Sequence, residues 1–253
     1  MTLQDTYRVE IAKWDAIALA DRPDRSLLLD DPDFETHARR VATLTGVSAF
    51  LGDLRGREVL EMGCGLGMLT TLLARSGARV HAFDLSPGSV EVARRRAELH
   101  GVGDAVEVTV AAAEEMPYAD ESFDVVIGKG VLHHLDVALA GPELHRVLRT
   151  GGRAAFTEPL GTNPIIAFAR EHVPYPNKNP RGADEPLSYE AINAWGAPFR
   201  EFEYREVQLL SMVRRAFGIR RPLPRLTALD DRLLDRWPGL GRFCRYVVLK
   251  MAK

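Results

Sequence analysis

The chain has 253 residues, 46% hydrophobic and 27% charged, with a formal net charge of -2. That length and apolar content suffice for a layered core in one domain, and the near-neutral charge excludes the strong basic bias that drives nucleic-acid binding. Two cysteines, Cys64 and Cys244, exclude a disulfide framework and a cysteine-rich metal or iron–sulfur centre, and they fit a reducing cytoplasm. No apolar run reaches the roughly 20 residues of a membrane span, and Met1 to Asp5 shows no signal-peptide pattern. A cytoplasmic protein is expected.

Residues 1–50 are helical in pattern with mixed charges, and are expected to form an N-terminal lid. Over residues 51–158, short apolar strands alternate with helices, which argues a parallel α/β sheet. Glu58 to Glu61 is the first predicted strand, followed by a helix from Gly67 that stops at Gly77. Arg79 to Asp84 is the second strand. Ser86 and Pro87 then open a helix, the serine as cap and the proline at the first helical position. Ala105 to Val110 alternates as a third strand and Phe123 to Ile127 is a fourth. A helix over Pro142 to Leu148 leads through Gly151-Gly152 to a fifth strand, Arg153 to Thr157. Seven prolines punctuate residues 159–200, a loop-rich stretch expected to cap the carboxyl edge of the sheet. Residues 201–253 supply two closing strands, Glu203 to Met212 and Phe243 to Lys250, with an antiparallel edge strand bringing the sheet to seven.

The most telling stretch is Val59-Leu60-Glu61-Met62-Gly63-Cys64-Gly65-Leu66-Gly67. A buried-strand run closes on an acid, and a glycine turn opens onto a helix. Glycine allows the backbone angles of so tight a turn and lets a ligand approach the main chain. The spacing is Gly-x-Gly-x-Gly, which differs from the Gly-x-Gly-x-x-Gly of dinucleotide binders. Downstream, Ala113 to Val126 reads AEEMPYADESFDVV, Val131 to Leu135 reads VLHHL, and Glu143 to Gly152 reads ELHRVLRTGG. On these four blocks, across residues 57–158, the chain resembles the class I S-adenosylmethionine (SAM)-dependent methyltransferases. The resemblance implies an α/β fold, a Rossmann-like seven-stranded, mostly parallel sheet with helices on both faces. It also implies SAM as cofactor, with S-adenosylhomocysteine as product.

The acid Asp84 ends the second strand, where it can accept both ribose hydroxyls of a nucleoside. Leu85 would lie along the adenine. Glu61, Gly63, Cys64 and Gly65 would form the cofactor turn, with Ala113 and Glu114 nearby. Relatives often carry an aspartate just before that pair, bonded to the adenine amino group. This chain has Ala112 there, so Glu114 or a backbone carbonyl takes the role, or the contact is missing. Lys129 falls where relatives lay backbone against the methionine end of the cofactor. Tyr7 and Trp14 resemble the tyrosine and the Trp-Asp pair (here Trp14-Asp15) of lid helices that close over it.

Methyl transfer asks mainly for alignment and exclusion of water, with a base for an O or N acceptor. His133 is the first candidate base, in a slot that faces the acceptor in some N-methyltransferases of this fold, and His134 is the second. No metal-ligand spacing is present. In the cap, Glu158, Asn163, Arg170, His172, Tyr175 and Lys178 are candidate contacts for a polar acceptor. Asn163-Pro164 is not the amino-methyltransferase motif of nucleic-acid enzymes, which follows strand four. From Arg205 onward the chain is basic, through Arg214, Arg215, Arg220, Arg221 and Arg225, a surface open to peripheral contact with a phosphorylated, lipidic or carrier-bound substrate. The expected activity is methylation of an O or N acceptor on a small metabolite. The alternatives are C-methylation of a quinone or polyprenyl-type acceptor, and a non-catalytic partner subunit. The sequence leaves the oligomeric state open.

Overall fold

The computed structural model describes residues 2–20, 24–44, 46–172, 185–216, 218–219 and 222–253. Helix α1 (Leu3–Ala18) opens the chain under a reciprocal cap, in which the Thr2 hydroxyl accepts the Asp5 N–H and the Asp5 carboxylate accepts the Thr2 N–H. Single-turn helices at Asp24–Ser26 and Ala42–Leu44 flank α2 (Phe34–Arg40), and α3 (Val47–Leu51) completes the helical N-terminal region. The alternating core follows: β1 (Glu58–Met62), α4 (Met68–Arg75), β2 (Arg79–Asp84), α5 (Pro87–Leu99), β3 (Val106–Val110), β4 (Phe123–Lys129), α6 (Val137–Val147) and β5 (Leu148–Pro159). Beyond it come α7 (Pro164–His172), α8 (Tyr189–Gly196), β6 (Glu201–Val207), α9 (Val213–Ala216), α10 (Pro224–Arg236) and β7 (Tyr246–Ala252).

The sheet has seven strands in the order β3-β2-β1-β4-β5-β7-β6. Strands β1 to β5 are mutually parallel, while β7 runs antiparallel to both β5 and β6. The reversed strand therefore sits between β5 and the outermost β6. Successive side chains on a strand face opposite ways, and along β1 Val59 packs with α2, α3 and α4 while Leu60 and Met62 pack with α6 and α8. Helices thus cover both faces. Strand order reverses between β1 and β4, and in an open α/β sheet that reversal leaves a crevice beyond the carboxyl ends of the strands.

Three boundaries differ from expectation by five residues each. Helix α6 starts at Val137 and carries Pro142 inside it, because the Asp136 carboxylate accepts the Ala138 N–H and sets an earlier start. Strand β5 begins at Leu148, paired to Phe123 through an irregularity in register. Strand β6 stops at Val207, since Gln208 takes a left-handed φ of 64° that breaks the extended run. No helix among the described residues is long and apolar enough to cross a membrane. Arg220, Arg221 and the Arg215 side chain of the basic stretch lie outside the described residues.

Candidate active site

At the mouth of the crevice the chain leaves β1 through three glycines with left-handed φ, Gly63 (65°), Gly65 (50°) and Gly67 (73°). Their reasons differ. A Cβ on Gly63 would lie 2.6 Å from Val131 Cγ2, and one on Gly67 would lie 2.7 Å from the Ala93 Cα. These two glycines let the loop after β4 and the backbone of α5 close in. At Gly65 the nearest atom is the Trp14 ring, at 3.5 Å, so this residue leaves room above the turn.

The turn floors a cavity of about 220 Å³ between the ends of β1, β2 and β4. Glu61, Gly63, Cys64, Gly65, Asp84, Leu85, Ala113, Lys129 and Trp14 all line it. Asp84 accepts the Gly65 and Ser86 N–H groups, each at 2.9 Å, so the acid that ends β2 also pins the glycine turn. Burial nevertheless raises its carboxyl pKa. Glu61 accepts the Thr70 hydroxyl at the base of the turn, and burial pushes it up to about 8. Burial also holds the Cys64 thiol well above its ordinary pKa, hence neutral. Lys129 reaches the surface, but the surrounding protein displaces enough water to lower its ammonium pKa.

Helix α1 closes one wall. Asp15 accepts the Ser86 hydroxyl at 2.5 Å and the Gly88 N–H at 2.9 Å, latching α1 to the start of α5. One turn earlier Glu10, buried and facing the cavity, accepts the Trp14 indole N–H at 3.2 Å and stands 3.5 Å from His134. Arg96 of α5 lines the cavity from the other side and donates to the carbonyls of Leu27 and Leu66. Sequence reasoning missed Glu10 and Arg96, and it met Asp15 only as the neighbour of Trp14 in the lid-helix pair, without its latch role. The single usable signal was that α1 places residues 7, 10 and 14 on one face.

Several predicted residues stand elsewhere. Glu114 does not line the cavity, because the Tyr7 hydroxyl (2.5 Å) and the Asp136 N–H (3.3 Å) occupy its two oxygens. Tyr7 is thereby a second latch of α1, its phenol pKa raised by burial and by that carboxylate. His134 lines the cavity, whereas His133 turns to Glu158, with Nδ1 2.7 Å from the carboxylate. Glu158 is fully buried at the end of β5 and is not an open cap residue; it also accepts the Val131 and Leu132 N–H groups. Asn163 caps α7 by accepting the Ile165 and Ile166 N–H groups. Arg170 is half-buried and His172 exposed, stacked on Phe168, and neither lines the cavity. Tyr175 and Lys178 lie outside the described residues.

Residues 60–156 match the family described as "Methyltransferase domain". This core therefore matches a methyltransferase domain, and its glycine turn, Asp84 and Glu61 fit the SAM that the motif resemblance implies. Over 105 residues the chain is 40% identical to the methyltransferase GfsG of Streptomyces halstedii, covering 41% of the chain and 38% of that protein. It is 34% identical over 170 residues to a ubiquinone biosynthesis O-methyltransferase of Alkalilimnicola ehrlichii, covering 64% of each. The chain thus spans less than two thirds of the curated relatives it matches. In fold it is similar to geranyl diphosphate C-methyltransferase from Streptomyces coelicolor A3(2), with a TM-score of 0.61 at 18% identity, covering 98% of this chain and 97% of that one.

Proposed function

We propose that the whole chain transfers a methyl group from SAM to an oxygen or nitrogen atom of a small metabolite, in specialised biosynthesis within the cytoplasm. The observation that carries the reading is that the glycine turn, Ala113 of the second motif block and Val131, His134 and Leu135 of the third line one cavity with Asp84, at the strand ends where this sheet reverses order. SAM, when bound, supplies a methyl on a cationic sulfur, which an acceptor lone pair takes as the carbon–sulfur pair returns to sulfur. The chain's own work is to bind, orient and keep water out. In this reading Asp84 takes the ribose and Glu61 the cationic end, and Trp14 with Glu10 covers the turn; all four line the cavity. Of the two candidate bases, His134 lines the cavity and His133 is held by Glu158. The region of residues 1–50 acts as a lid through α1.

A thermal melt with saturating SAM, with S-adenosylhomocysteine, and with NAD as control tests this. At about a hundredfold over Kd, binding adds roughly 2.7 kcal/mol, a midpoint rise of several degrees. A rise with NAD alone, or with none of the three, overturns the reading.

A second reading is C-methylation of a quinone or polyprenyl-type acceptor. It is favoured by the exposed apolar residues Ile165 (69%) and Phe168 (64%) on α7; the ubiquinone-biosynthesis relative, an O-methyltransferase, supports a quinone-type acceptor but not carbon as the methylated atom. Activity that depends on detergent or liposomes would select it.

A further inference from the structure

Beside the cofactor cavity lies a second, more open cavity of about 460 Å³, and Lys129 lines both. Its cationic side chains among the described residues come from three separate elements: Lys129 at the end of β4, Arg214 in α9 and Arg245 just before β7. No carboxylate side chain among the described residues lines it. Among the described residues, no acidic group lies within ion-pair reach of Lys129 or Arg245; Arg245 instead lies over the Tyr246 ring, 5.4 Å from its centroid.

The backbone holds these groups in place. The Arg245 N–H donates to the Gln208 carbonyl at 3.2 Å, and its own carbonyl accepts the Leu160 N–H at 2.9 Å. Gln208 keeps a left-handed φ of 64°, an uncommon state for a residue with a side chain, at the point where β6 turns toward α9 and the cavity wall. Arg214 Nε donates to the Ile219 carbonyl at 3.4 Å, which ties the far rim together. Lys129 and Arg245, with no acidic group in reach among the described residues, repel one another and attract an anion in a concave, partly desolvated setting. The lowered pKa of Lys129 agrees, because a resident acid would raise it.

We propose that this second cavity binds an oxyanion group, a carboxylate or a phosphate, carried by the methyl acceptor. The inference rests on the methyltransferase reading and narrows its substrate class. Guanidinium forks suit either oxyanion geometry. Because Lys129 belongs to both cavities, an acceptor anchored there extends toward the cofactor.

The test is isothermal titration of the full chain, saturated with S-adenosylhomocysteine, using pyrophosphate and citrate as separate probes at constant ionic strength. Arg245→Gln and Arg214→Gln are the variants, since neither residue lines the cofactor cavity. Expected is saturable binding of at least one probe, weakened about tenfold or more in each variant, with S-adenosylhomocysteine affinity unchanged. The tighter probe assigns phosphate or carboxylate. No binding of either probe to a wild-type chain that binds S-adenosylhomocysteine overturns this inference alone, as does equal affinity in the variants. Failure to bind S-adenosylhomocysteine overturns the methyltransferase reading itself.

Discussion

His133 Nδ1 and Glu158 Oε2 lie 2.7 Å apart, at the point where β5 ends beside the loop that leaves β4. Because the carboxylate only accepts, Nδ1 donates and Nε2 is left as the acceptor. Glu158 spends its other oxygen on the Val131 and Leu132 N–H groups, at 2.9 and 3.0 Å. Glu158→Ala strands two buried donors, at about 1–3 kcal/mol each, and urea unfolding should show that loss. Glu158→Gln keeps an acceptor for the backbone but presents N–H groups to Nδ1, which moves the proton to Nε2. If His133 takes the acceptor's proton, this variant stays stable and loses about tenfold or more in kcat with little change in KM. Unchanged kcat would leave Glu158 as a loop anchor only.

Asp84 has two tasks, and its variants should separate them. The Gly65 and Ser86 N–H groups both depend on it. Asp84→Ala is expected to cost about 2 kcal/mol or more in the ligand-free protein, beyond any loss of SAM affinity. Asp84→Asn retains one acceptor oxygen, so it should recover part of the stability. SAM affinity should fall by at least tenfold in both. Wild-type affinity in a folded Asp84→Ala protein, measured by calorimetry, would remove the ribose assignment.

For Glu61 the sign of the pH effect follows from its burial. The folded carboxyl titrates at about 8, against an ordinary value of 4.5. Below the ordinary value it is protonated whether folded or unfolded, and the protein keeps full stability. Between that value and about 8 the unfolded chain ionises while the folded one stays protonated, so stability falls as pH rises and levels off above about 8, where the folded chain carries the buried anion too. Glu61→Gln should flatten that decline in thermal melts of the ligand-free protein. A cation bound beside Glu61 favours its ionised form, so SAM binding near pH 7 should release up to about one proton. Calorimetry in buffers of different ionisation enthalpy reads this directly, and Glu61→Gln should abolish the release.

Much of this arrangement was legible from local sequence. Glycines, strand-end acids and alternating apolar runs are local signals, so β1, β2, α4, α5 and the cavity floor could be read directly. Residues whose meaning depends on how a helix docks could not. Glu10, Asp15 and Arg96 are ordinary helix-surface residues until α1 and α5 meet. Glu158 and Asn163 read as polar cap residues, yet both are buried and satisfy backbone N–H groups. The two adjacent histidines show the same limit. A single helical turn over Leu132–His134 sends one ring to Glu158 and the other to the cavity, which adjacency alone does not reveal.

The glycines of the turn should respond differently to the same substitution. Gly65→Ala forces an unfavourable φ at a cost of about 1 kcal/mol, with the nearest obstacle, Trp14, at an ordinary contact distance of 3.5 Å. The fold should survive while SAM binding falls steeply. Gly67→Ala adds a 2.7 Å clash with the Ala93 backbone, which cannot give way as a flexible side chain would. Its unfolding midpoint should drop well below that of Gly65→Ala. Equal stability in the two variants would contradict the separate roles assigned to them.

The latch between α1 and α5 makes the last expectation. Asp15 joins the Ser86 hydroxyl and the Gly88 N–H, while Ser86 itself caps α5 through the Ser89 N–H at 2.9 Å. Asp15→Ala removes one link without touching the cavity lining, so the core should lose only about 1–2 kcal/mol. The helix above it has a second tether, from Tyr7 to Glu114 at 2.5 Å. Loosening one end should therefore raise hydrogen exchange across α1 while leaving the β1 and β4 amides protected. SAM should dissociate faster from Asp15→Ala, and faster still when Tyr7→Phe is added, because Trp14 and Glu10 ride on the same helix over the cavity. Unchanged dissociation in the double variant would mean that α1 does not govern release.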